Sequence, residues 1–85
     1  MGKRIHTMNK ALAGYIDHIN LRRAMLGRPT LDVFDDYAEI QEELNILGSP
    51  EVLAGDGEYS SEEVRRRTEE WNDASTELYW MGFSL

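Results

Sequence analysis

The chain has no cysteine, which excludes disulfides, thiolate metal sites and thiol nucleophiles together. It holds no run of about 18 apolar residues, so no segment reads as a membrane span. Only two histidines occur, His6 and His18, and neither stands in an H-E-x-x-H or Glu-x-x-His spacing. Glycines stand singly at turns, so no phosphate-cradling loop is present. Strand-length alternation of apolar and polar residues is missing throughout. Most telling is the absence of any Lys or Arg from residues 29–64, a stretch with eleven acidic residues.

What is present suits one small globular domain over residues 1–85. A chain of 85 residues buries a little over 60 % of its surface, roughly 5,200 Å² staying exposed of about 14,000 Å² unfolded. Hydrophobic content of 41 % with 29 % charged residues separates it from disordered tails. Met1-Gly2-Lys3-Arg4 is basic, yet polar residues follow instead of an apolar signal segment. His6 stands where a myristoylation pattern asks for Ser or Thr. The expectation is a cytoplasmic protein that does not engage membranes.

Charge is segregated along the chain. The net value of −7 averages a basic opening, an acidic middle and a near-balanced end. Residues 1–28 carry six Lys and Arg against Asp17, and residues 65–85 carry three arginines against four acids.

Turn signals at Gly27-Arg28-Pro29, Gly48-Ser49-Pro50 and Gly55-Asp56-Gly57 cut the chain into helix-sized pieces. In the first, residues 7–26, Met8, Leu12, Tyr15, Ile16, Ile19 and Leu26 share one face. Thr7 or Asn9 caps its start and Gly27 ends it. Leu21 and Met25 fall nearly opposite, and Arg23 enters the apolar stripe, where it snorkels or meets an acid. The second piece, residues 31–47, has a seam of Val33, Tyr37, Ile40, Leu44 and Leu47, broadened by Leu31, Phe34 and Ala38, with Thr30 as N-cap. Ser49-Pro50-Glu51 has the order of a cap followed by a first-turn proline. Ser60 and Glu63 form a capping box, with Tyr59 and Val64 as its staple. Val64, Thr68, Trp71, Ala74, Ser75, Leu78 and Met81 share the next face. Arg66 and Arg67 stand at i, i+4 spacing from Glu62, Glu63 and Glu70. Gly82 closes this helix, with Phe83 folding back onto it, and Trp80 points away. The expected fold is all-α: a small antiparallel bundle of three main helices plus a short helical turn. The basic first helix and acidic second helix are expected to neutralise each other in part.

Chemistry fares poorly on this frame. Aligning Asp56-Gly57-Glu58 with a calcium loop puts Ser61 at the turn glycine and Arg67 at the bidentate glutamate, so the loop reads as solvated. Paired carboxylates on an open helix face are not desolvated, as acid–base work requires. Ser49, Ser60 and Ser61 are better read as caps than as nucleophiles. No catalytic residue, metal or cofactor is expected.

Two features remain. Asp32, Asp35, Asp36, Glu39, Glu42 and Glu43 form an acidic stripe, either a solubilising face or a docking surface whose carboxylates stand in for phosphates, a DNA mimic. Tyr79, Trp80, Met81, Phe83 and Leu85 crowd the end of a domain too small to bury them all, and Trp80 and Phe83 are the expected anchors. The favoured expectation is a non-catalytic protein-interaction module that occludes a basic surface on a larger protein. By size and charge alone it suits inhibitors, antitoxins and phage-type accessory factors. A homodimer through the aromatic end is an open alternative. Another is a dimeric nucleic-acid-associated regulator using Arg22, Arg23, Arg28 and the N-terminal arm. Leu26-Gly27-Arg28-Pro29-Thr30 superficially resembles a helix-turn-helix turn, but the helix after it carries six acids that phosphates would repel. A structural oligomer subunit is the third reading.

Overall fold

The computed structural model describes residues 8–84, and all regular structure among them is helical. Thr7, His6, Leu85 and the basic Lys3 and Arg4 lie outside the described residues. Helix α1 spans Lys10–Met25, α2 Tyr37–Leu47, α3 Pro50–Leu53 and α4 Ser61–Met81. Short 3₁₀ turns follow at Gly55–Gly57 and Gly82–Ser84.

The starts follow capping chemistry. Asn9 is the N-cap of α1: its side-chain oxygen accepts from the Leu12 N–H at 2.9 Å. Its amide nitrogen donates to the Asp73 carbonyl, and its own N–H donates to the Glu77 carboxylate, so one residue ties the start of α1 to α4. Ser49 caps α3, with Pro50 in its first turn, and Ser60 caps α4 by accepting from the Glu63 N–H. Gly27 turns left-handed at φ 75° just beyond α1, as its place in the sequence implies.

The core is built by α1, α2, α4 and the segment before α2. Leu12, Ile16 and Ile19 of α1 meet Ile40 and Leu44 of α2 and Ala74, Leu78 and Met81 of α4. Ala74 is fully buried, and its single methyl keeps the surface of α4 low where α1 packs along it. Two hydrogen bonds fix α2 against α4. The Tyr37 hydroxyl donates to the Leu78 carbonyl at 2.6 Å, and the Trp71 indole N–H donates to the Leu44 carbonyl at 2.8 Å. Early α2 meets late α4 and the reverse, so these two helices run antiparallel. The short α3 docks through Arg67, whose guanidinium donates to the Val52 and Leu53 carbonyls.

Several expectations give way. The second helix starts at Tyr37, not near residue 31, and Thr30 does not cap it. Residues 31–34 alternate instead: Leu31 and Val33 are buried, Asp32 and Phe34 exposed. Asn20 supplies the missing ladder partner, accepting from the Leu31 N–H at 2.7 Å and donating to its carbonyl at 3.0 Å. The aspartates then close a turn of their own. Asp32 accepts from the N–H groups of Phe34 and Asp35, and Asp36 accepts from that of Asp32. Such local bonds compete with helix formation.

Leu26 is exposed instead of facing the core, because the chain leaves α1 at that point. Phe34 and Ala38 are exposed rather than widening the seam. Tyr59, expected to pair with Val64 across the cap, is exposed, with its ring 4.6 Å from the Arg67 guanidinium carbon. Arg67, turned inward, pairs with no i, i+4 acid. The surface pair that does form on α4 among the described residues is Arg66–Glu63 at 2.6 Å, one residue shorter in spacing than expected.

Candidate functional site

Tyr37 builds the site by joining its two halves. Its hydroxyl on the Leu78 carbonyl, with its ring against Gly82, brings the start of α2 to the end of α4. The acidic turn of Asp32, Asp35 and Asp36 and the aromatic residues beyond Leu78 therefore occupy the same end of the molecule.

On the acidic half, the six stripe residues divide by what their carboxylates already do. Asp32 and Asp36 are engaged by backbone N–H groups within the turn. Glu43 meets Arg23 at 3.5 Å. Asp35, Glu39 and Glu42 are exposed and, among the described residues, pair with no cation. Glu39 and Glu42 flank a shallow outer hollow on α2 with Ala38, Gln41 and Asn45. Three of the six side chains, those of Asp35, Glu39 and Glu42, are therefore open to a partner.

On the aromatic half, Trp80 and Phe83 are 60 % and 68 % exposed. Phe83 does not fold back onto the bundle. It packs instead on Tyr79 and Trp80, with ring centroids 5.2 and 5.5 Å away, and Tyr79 meets Trp80 at 5.6 Å. Tyr79, itself 58 % exposed, completes a triad of exposed rings, edge-on to both Trp80 and Phe83, which are tilted on one another. Its signal in the sequence was the i, i+4 step to Phe83. Met81, in the same crowded stretch, is a core residue.

The alternative arginine set is not brought together as a basic surface. Arg23 is turned inward, with Nε donating to the Pro29 carbonyl at 2.7 Å and a terminal nitrogen on Glu43. This is the acid contact that its place in the apolar stripe implied. Arg22 and Arg28 are exposed. No three His, Asp or Glu side chains converge as metal ligands among the described residues, and no described helix is long and apolar enough to cross a membrane.

Compared with known proteins, the chain matches no family model, no curated protein and no solved structure.

Proposed function

We propose that the protein is a non-catalytic interaction module that docks its acidic and aromatic end on a basic surface of a larger protein and occludes it. The observation that carries this reading is the exposed Tyr79–Trp80–Phe83 triad at the same end as the carboxylates of Asp35 and Glu39. Exposed aromatics are the residue type that anchors interfaces, and unpaired like charges select a partner of opposite sign. Occlusion of a nucleic-acid-binding surface follows if that basic surface is one that normally meets phosphates. The inward engagement of Arg23 supports this reading over direct nucleic-acid binding.

The test is affinity purification of the tagged chain from its own cells under nuclease treatment, followed by binding measurements on the purified partner. Two variants accompany it: the triple reversal Asp35→Lys, Glu39→Lys, Glu42→Lys, and the pair Trp80→Ala, Phe83→Ala. A basic partner lost in both variants, with helicity retained, is the expected result. A partner whose affinity ignores the reversal removes the electrostatic part of the proposal. Recovery of the chain with itself alone replaces the proposal with self-association through the triad.

A further inference from the structure

A cleft of about 410 Å³, sharing no lining residue with this surface, is formed by α1, the end of α2, α3 and α4. Its chemistry runs against the rest of the molecule. In a chain of net charge −7, the cleft wall holds Lys10 and Arg67 against the single carboxylate of Glu70, with His18 beside them. Arg67 is fixed there by its bonds to the Val52 and Leu53 carbonyls and by the Tyr59 ring beneath its guanidinium. A charge so held costs little further ordering when it meets a ligand. Tyr15 and Tyr59 supply ring surface, and burial pushes the Tyr15 hydroxyl above its ordinary value, with Arg67 opposing and Glu70 adding to that shift.

Gly14 is the second observation. Glycine is the weakest helix former after proline, yet it stands in mid-helix in α1. Its backbone is ordinary helix, and among the described residues a Cβ built there meets no atom within 4 Å beyond its own stretch of helix. Internal packing therefore gives no reason for the missing side chain. What its absence does is deepen the cleft, because Gly14 is part of the lining.

We propose that this cleft is a binding site for a small planar anion, an aromatic carboxylate whose ring lies over Gly14 between the tyrosines and whose charge meets Lys10 and Arg67. The site does not depend on the interaction surface proposed above, and either can fail without the other.

The experiment is an amide NMR titration of the full chain with 4-hydroxybenzoate and, in parallel, neutral 4-hydroxybenzamide. A probe of this size binds with Kd on the order of millimolar. Saturable shifts confined to residues around Gly14, His18, Tyr59 and Arg67 are expected, with the amide at least about tenfold weaker. Gly14→Leu fills the floor of the cleft from a position where a Cβ has room and should abolish the shifts while helicity is unchanged. Lys10→Gln, on the exposed rim, should weaken binding several-fold and serves if the leucine variant does not fold. Absence of saturable shifts, equal binding of the amide, or full binding by either variant overturns the proposal.

Discussion

Replacing Gly48 with alanine should unfold this protein more readily than its position suggests. Gly48 follows α2 with φ −93°, a backbone that alanine adopts without strain. Backbone effects alone would make the change stabilising by about 0.4–1 kcal/mol. The obstacle is Trp71, whose indole lies across the glycine. A Cβ there would stand 2.5 Å from Cζ2 and 2.6 Å from Nε1. Ordinary carbon contact needs about 3.5–4.0 Å, so the ring must retreat by about 1 Å. Overpacking of this kind costs about 1–3 kcal/mol. The retreat also weakens the indole hydrogen bond to the Leu44 carbonyl, worth about 1 kcal/mol. The net loss is then about 2–3 kcal/mol, against a total of about 4–13 kcal/mol for a domain of this size. In thermal melts followed by circular dichroism, that is a fall in Tm of roughly 10–20 °C. Repeating the melt in a Trp71→Ala background isolates the cause: there Gly48→Ala should be neutral or mildly stabilising. An unchanged or raised Tm in the otherwise native chain would refute the close-approach reasoning.

Two further outcomes test the frame. Asn20→Ala leaves the part-buried N–H and carbonyl of Leu31 without their partners and should cost about 1–3 kcal/mol, seen as a lower urea midpoint at unchanged slope. A loss inside experimental error would mean that water replaces Asn20 freely. Tyr15 tests the pH dependence. Burial raises its hydroxyl above 10.0 in the folded chain, so the unfolded chain releases this proton first. The contribution is intact below pH 10 and is lost as pH rises through the higher folded value. The urea midpoint should therefore fall above pH 10 more steeply in the native chain than in Tyr15→Phe. Parallel curves would refute the burial of this hydroxyl.

What the sequence disclosed, and what it withheld, follows from how each signal works. Periodicity reports burial. Ile40 and Leu44 are buried at the steps the seam implies, and Leu12, Ile16 and Ile19 likewise. Burial does not by itself report helix. Val33 fits the four-residue step to Tyr37, but it is buried from the turn that precedes α2 and not from the helix. Asp32 suits the charge of a helix start, but its carboxylate closes a turn instead, beside a Leu31 whose N–H and carbonyl are already held by Asn20. Caps were legible because Asn9, Ser49 and Ser60 each act on the backbone N–H three residues on. Bonds from Asn20, Arg67 and Trp71 to distant carbonyls were not, since every residue presents the same carbonyl. Gly48 was visible as a turn marker, while its actual constraint, the indole against it, is a tertiary fact. At the candidate site, exposed Trp80 was readable from the helical wheel. The joining of the acidic turn to the aromatic end was not, because it rests on the Tyr37–Leu78 bond.

The segregated charge finds only partial internal use. Basic α1 and acidic α2 were expected to neutralise one another, and they meet at Arg23–Glu43. Two other acids are tied up by backbone N–H groups, which anchor them without cancelling their charge. The carboxylates of Asp35, Glu39 and Glu42 thus add to one another at the surface. Glu39 and Glu42 stand about 5 Å apart along the axis of α2, inside the Debye length of about 8 Å at physiological salt, with Asp35 in the turn before it, so an approaching cation meets them nearly as a unit. Their mutual repulsion costs a few tenths of a kcal/mol per pair, which the buried seam of Ile40 and Leu44 easily offsets. On the proposed reading, the two halves of the site then divide the work. Screened surface charge governs how fast a basic partner arrives and which partner is admitted, while the Tyr79–Trp80–Phe83 rings, once desolvated, govern how slowly it leaves. A purely solubilising acidic face would need no aromatic triad beside it, and a purely hydrophobic contact would need no uncompensated charge.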